Sequence, residues 1–258
     1  MSSERGPGWE LHLGDCIAGM REMADLSVDV VITDPPYDEA THTNHRVGNT
    51  SRHGKISAST NRSKDLGFDH LDPDAVPLLA EHMGRVARRW ILTFCTVEQS
   101  GLWASAFVAA GVQYIRTCAW VKTGSTPQFS GDRPAVGFEA IVVAHRKGRK
   151  RWNGGGSHGL WTHPIVKPQT GARLHTTPKP LPLMRELVDL FSEPDELILD
   201  PFAGSGSTGI AALALGRRFV GFELSPEYHA IACRRLRGDE AKPRPEQPSL
   251  FDAIGAAR

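Results

Sequence analysis

The run Val28-Asp29-Val30-Val31-Ile32-Thr33, followed at once by Asp34-Pro35-Pro36-Tyr37, limits the folds open to this chain more than any other stretch. It is short, β-branched and stopped by proline, the composition of a strand buried on both faces of a parallel sheet. In open α/β sheets ligands bind beyond the carboxyl ends of such strands. Here that end carries a carboxylate, two rigid residues and an aromatic ring. The prolines fix the backbone and remove two amide donors, so the carbonyls there can face a ligand without competition. A carboxylate beside a carbonyl is a pair of acceptors, suited to a neutral amine with two hydrogens to give. Tyr37 offers a flat face on which an aromatic ring can stack.

Further strands are expected at residues 9–13, 89–94, 113–122, 140–144, 197–199 and 218–222. Helical spacing of apolar residues runs through 17–26, 74–87, 100–110, 180–191, 210–215 and 226–236. Strands alternating with helices imply a mainly parallel sheet covered on both faces, as one α/β domain over residues 1–237. Asp15 ends one strand and precedes a helix, which fits both a ligand-facing carboxylate and a plain helix cap.

The second informative stretch is Asp200-Pro201-Phe202-Ala203-Gly204-Ser205-Gly206-Ser207-Thr208, between a strand and a helix, with Glu223 at the end of the next strand. Strand, glycine turn, helix, strand and acid make the layout of an adenosine-binding βαβ unit, the acid placed for two ribose hydroxyls. No lysine stands at the turn, so it is not a phosphate loop of the Walker kind. Gly204, Gly206 and Gly209 also match dinucleotide spacing, which keeps a nicotinamide or flavin site open at this point.

Taken together, the two motifs resemble the amino-group DNA methyltransferases, which methylate exocyclic amines of adenine or cytosine. The catalytic motif precedes the cofactor loop, and Thr176-Thr177-Pro178-Lys179-Pro180 precedes the cofactor half. Both features are similar to the permuted β class of that family. The resemblance covers about residues 9–237. It implies a Rossmann-like, seven-stranded, mostly parallel sheet, S-adenosyl-L-methionine as cofactor and double-stranded DNA as partner. It places Asp34, Pro35, Pro36 and Tyr37 at the reacting base, which must be flipped from the duplex. Asp15 and Cys16 fall near the cofactor adenine. Asp34 and Asp200 lie toward its methionine end, where His175, Thr177 and Lys179 help close the site. Phe202, Ala203, Gly204, Ser205, Gly206, Ser207 and Thr208 form its loop, and Glu223 with Leu224 its ribose side. Asp at the head of the motif points to adenine N6, with cytosine N4 as the alternative. An RNA or protein methyltransferase and a non-catalytic DNA-binding module are rival readings.

The formal net charge is only +1, so a polyanion partner must be sought in the distribution of charge. Residues 38–70 form a long polar stretch with Arg46, Arg52 and Lys55, read as a lid or DNA-contact loop. From Arg116 to Lys179 there are 11 Lys or Arg against Asp132 and Glu139 alone. That imbalance suits a phosphate-tracking face through Lys122, Arg146, Lys147, Arg149, Lys150 and Arg151. Residues 145–175 would be a short target-recognition region, with Trp152 and Trp161 either interleaved with the charge or anchoring the loop. Its shortness leaves room for a homodimer. The four cysteines lack C-x-x-C spacing, arguing against zinc and disulfides and for a reducing cytosol; His42 and His45 have no third ligand, so no metal is expected. With no bilayer-spanning run and no signal peptide, no membrane role is expected and the protein is placed in the cytoplasm of a bacterial, archaeal or phage-infected cell. The tail, 238–258, is polar and reads as flexible. Its Gln247-Pro248-Ser249-Leu250-Phe251 resembles a short sliding-clamp-binding peptide.

Overall fold

The computed structural model describes residues 1–36, 71–125, 131–166 and 178–239. Among them nine strands form one sheet: β1 (Ser2–Gly6), β2 (Trp9–Leu13), β3 (Val30–Thr33), β4 (Trp90–Cys95), β5 (Gln113–Thr123), β6 (Phe138–His145), β7 (Leu160–Pro164), β8 (Leu197–Asp200) and β9 (Arg218–Glu223). Their spatial order is β1-β2-β9-β8-β3-β4-β6-β5-β7. The helices are α1 (Cys16–Glu22), α2 (Val76–Val86), α3 (Ser100–Ala109), α4 (Leu181–Phe191), α5 (Ser207–Ala214) and α6 (Pro226–Arg237). No helix among the described residues is long and apolar enough to cross a membrane.

Strand alternation sorts the core into two layers. Val30, Ile32, Trp90, Leu92 and Ile198 point to one face, where they meet Leu183, Leu187 and Phe191 of α4, Ala211 of α5 and Ala232 of α6. Val31, Ile91, Leu199 and Phe222 point to the other, against Met20 of α1, Leu79 and Met83 of α2, and Trp103 and Phe107 of α3. All four residues of β3 are buried, as a strand covered on both faces requires.

The seven expected strands are all present, and the sheet is larger than expected by one strand at each edge. β1 pairs antiparallel with β2, and β7 pairs parallel with β5. Both edge strands escape a hydrophobicity reading for the same reason: β1 is polar and mostly exposed, and β7 buries only Trp161. β6 runs antiparallel to both β4 and β5.

The topology sets where a ligand can bind. From β3 the chain passes through α2 to β4; from β8 it passes through α5 to β9, on the opposite side and across the opposite face. β3 and β8 are parallel neighbours, with Val30 opposite Ile198 and Val31 opposite Leu199. The strand order therefore reverses between them, and a crevice opens beyond their carboxyl ends. Asp34 and Asp200 stand at that crevice.

Candidate active site at the carboxyl edge of the sheet

A buried hydrogen bond joins the two sequence motifs. Thr33 Oγ1, the last hydroxyl of β3, donates to Asp200 Oδ1 over 2.8 Å. Asp200 also accepts from Thr208 Oγ1 at 2.6 Å and from the Phe202 amide at 3.0 Å. Burial pushes its carboxyl up to about 6, against the pull of these donors.

Beside it, Gly204 and Gly206 have φ of 52° and 81°, the left-handed region that favours glycine. Gly209 answers a different need. A Cβ there would lie 2.7 Å from Leu236 Cδ2 and from the Phe219 ring, so its hydrogen lets α5 approach β9 and α6. The Gly204 amide donates to Glu223 Oε2 and the Ser225 amide to Glu223 Oε1, each at 2.8 Å. Glu223 is thereby aimed across the turn, and burial raises its pKa. Ser207 Oγ, at the first residue of α5, is buried with no hydrogen-bond partner among the described residues. A short glycine turn, a fixed carboxylate and an unsatisfied hydroxyl suit a polar, hydroxyl-bearing ligand such as an adenosyl group. Arg235 backs the turn, donating to the Ser205 carbonyl and hydroxyl at 2.6 and 2.8 Å.

Asp15 caps α1, accepting from the Ala18 amide at 2.7 Å, and the Gly14 amide binds the Glu223 carbonyl at 2.9 Å. The cap reading holds, and Gly14 ties the start of α1 to the end of β9. Cys16 is buried with its thiol pushed up to about 12 by desolvation. Leu224 is exposed on the rim.

On the β3 side of the crevice, Asp34 Oδ2 accepts from Lys179 Nζ at 2.6 Å. Lys179 Nζ also lies 3.2 Å from Glu139 Oε2, and Glu139 Oε1 accepts from Lys122 Nζ at 2.8 Å. Four charges of alternating sign thus run from β5 to β3. The Lys179 ammonium sits 4.9 Å from the Phe94 ring centroid and 5.9 Å from that of Trp120. Burial works against its charge, but the two carboxylates outweigh burial and hold its pKa above the ordinary lysine value.

Several expected site residues need correction or fall outside view. Lys122, expected to contact phosphate, is half-buried and committed to Glu139. The basic run is not at this edge at all. Because β6 runs antiparallel, it delivers the chain to the amino end of β4: the Arg146 amide binds the Arg89 carbonyl, and Arg151's carbonyl accepts from Trp90 Nε1. Arg146, Lys147, Arg149, Lys150 and Arg151 therefore lie at the far edge from Asp34. Of the recognition region expected at 145–175, residues 145–151 lie at that far edge and β7, parallel to β5, leads back toward the site edge, while residues 167–175 lie outside the described residues. Trp152 and Trp161 are anchors: both rings pack on Phe191, at 4.8 and 6.1 Å. Tyr37, His175, Thr177, Arg46, Arg52, Lys55, the 38–70 loop and the Gln247–Phe251 peptide lie outside the described residues.

Sequence reasoning misses Glu139, although it is one of only two acids in the basic stretch, and Thr33, which no motif marks. It also misses Glu4, His229 and Cys233, whose donor atoms lie within 4.8 Å of one another. There Glu4 pairs with Arg237 at 2.8 Å, His229 Nε2 lies 3.2 Å from the Leu11 carbonyl, and burial pushes the Cys233 thiol up to about 11. These contacts tie α6 to β1 and β2.

Fold and site together define an α/β protein with a glycine turn and two acidic strand ends side by side at a switch in strand order. Residues 28–234 match the DNA methylase family, and the chain belongs to it. It is 26% identical to the type II methyltransferase M.HinfI of Haemophilus influenzae over 259 residues, covering 92% of this chain and 70% of that protein. It is 30% identical to YubD of Escherichia coli (strain K12) over 232 residues, 86% of this chain and 88% of YubD. Among solved structures, M1.HpyAVI in complex with SAM superposes with a TM-score of 0.64 at 23% identity, over 88% of this chain and 100% of that one. The cytosine-N4-specific PvuII DNA methyltransferase gives a TM-score of 0.70 at 14% identity, over 92% and 89%. These two likenesses establish the shared fold.

Proposed function

We propose that this protein transfers a methyl group from S-adenosyl-L-methionine to the N6 amine of an adenine flipped out of duplex DNA. The observation that carries the reading is Asp34. It sits at the carboxyl end of β3, one residue from the Thr33–Asp200 bond that ties it to the glycine turn. Bound at that turn, the cofactor supplies an electrophilic methyl on a sulfonium. Glu223 would hold the ribose hydroxyls, and Asp200 the methionine ammonium. The chain's own work is on the amine. An exocyclic amine is a poor nucleophile because its lone pair is delocalised into the ring. Asp34 and the Pro35 carbonyl would accept hydrogen bonds from its two N–H groups and draw the lone pair onto nitrogen, so that the N–C bond forms as the carbon–sulfur bond breaks, the sulfonium leaves as a neutral thioether and one amine proton is lost to solvent. The gain is positioning and fixed electrostatics.

DNA approaches the carboxyl edge in this reading. Exposed Asp132 and Arg133, which lead into β6, lie there, as do Ile165 and Val166 after β7. Asp34→Ala is expected to abolish methyl transfer while leaving cofactor binding largely intact, because the lost acceptor acts on the substrate amine. An active Asp34→Ala variant would remove the assignment. Single-molecule sequencing of DNA from expressing cells decides the base: methyladenine at one short motif supports N6, and methylcytosine moves the target to N4.

A further inference from the structure

The free protein holds its candidate catalytic carboxylate in an ion pair. Asp34 Oδ2 is taken by Lys179 at 2.6 Å, yet Asp34 must receive an amine hydrogen during transfer. A cation as enclosed as Lys179 cannot be left without a counter-charge except at a large penalty. It has a second one: Glu139 Oε2 lies 3.2 Å from the same nitrogen. Glu139 is in turn fixed through its other oxygen by Lys122 at 2.8 Å. Phe94 and Trp120 present ring faces to the ammonium, so a small shift toward Glu139 keeps it in a favourable field.

We propose that Glu139 is a positioning residue for methyl transfer: it takes Lys179 over when Asp34 turns to the substrate amine. The inference rests on the function proposed above. The four side chains carry two positive and two negative charges. The incoming amine is neutral, so the handover leaves the charge balance unchanged. Lys122 holds Glu139 in place through its other carboxylate oxygen. Without Glu139, Lys179 leans more heavily on Asp34 and competes more strongly with the substrate for it.

The test is a double-mutant cycle on single-turnover methylation. Glu139→Gln is expected to slow transfer roughly ten- to hundredfold, with the cofactor dissociation constant and thermal midpoint near those of the parent, and Glu139→Asp to recover part of the rate. In a Lys179→Met background, where that cation no longer competes for Asp34, Glu139→Gln should change the rate by less than about twofold. The charge-balanced Lys122→Met/Glu139→Gln protein guards against effects of net charge and should remain as slow as Glu139→Gln. A structure of the DNA complex should place Lys179 Nζ nearer Glu139 than Asp34. Three results would overturn the proposal: Glu139→Gln at the parental rate, the same loss with and without Lys179, or recovery on removing Lys122. All three leave the methyl-transfer reading intact. That reading falls only if the parent protein transfers no methyl group or Asp34→Ala remains active.

Discussion

Asp200 is where one residue has two opposing tasks. Its carboxyl is buried and raised to about 6, so keeping it ionised at neutral pH costs stability. Sign and window follow from linkage: unfolded, it titrates near the ordinary aspartate value of about 4, so between about 4 and 6 only the folded state holds the proton. The destabilisation is absent below that window, grows through it, and is complete above it. Asp200→Asn is therefore expected to be more stable than the parent above pH 6, by on the order of 2 kcal/mol, with the difference vanishing near pH 4. Urea titrations of both proteins across that range measure it. Binding should run the other way. If ionised Asp200 holds the methionine ammonium, cofactor affinity falls about tenfold from pH 7 to pH 5, a loss that calorimetry would detect.

At the scale of elements, what is legible in sequence is what burial periodicity and turn chemistry write into it. The strands stand out as short, β-branched apolar runs and the helices as longer apolar stretches bounded by turn residues. The glycine turn stands out because only small residues allow its backbone. β1 and β7 are invisible because an edge strand can hold its place by backbone pairing, with few apolar side chains. The direction of β6 is also hidden, since a buried apolar strand looks the same read either way. That one reversal moves the basic run from the expected DNA face to the opposite edge. Gly209, packed close under its neighbours, gives an element-level prediction. Gly209→Ala should gain helix propensity but force its Cβ against Phe219 and Leu236, for a net loss of about 1–2 kcal/mol in denaturant midpoint measurements. An unchanged or raised midpoint would mean that α5 can move off β9 without cost.

For the whole molecule, the separation of edges makes a statement about DNA. A duplex lying across the carboxyl edge is out of reach of Lys147, Arg149, Lys150 and Arg151 on the amino side. Replacing all four with Gln should leave the salt dependence of binding to a short duplex unchanged. Were those residues on phosphates, the slope of log K against log salt would become shallower by roughly 0.9 for each phosphate no longer neutralised. The candidate site is legible for a different reason from the fold. Asp34, Asp200 and Glu223 all end strands, and strand ends are what a run of apolar residues marks most clearly. Glu139 begins a strand instead, and only the antiparallel direction of β6 brings it to the same edge.

The bond between Thr33 and Asp200 spans 167 residues of chain, and β2 pairs Trp9 with Phe219. The middle of the sheet thus unites the beginning of the polypeptide with its end. During synthesis at roughly 5–20 residues per second, β3 must wait on the order of 10–40 s for β8 and β9 to be made. Its apolar run has no lasting partner on that side in the interval. Parallel pairing between distant segments is also slow once the chain is complete. The adjacency that builds the site consequently exposes the nascent chain to aggregation, and soluble yield should rise when translation is slowed relative to folding by cooling or when chaperones are supplied.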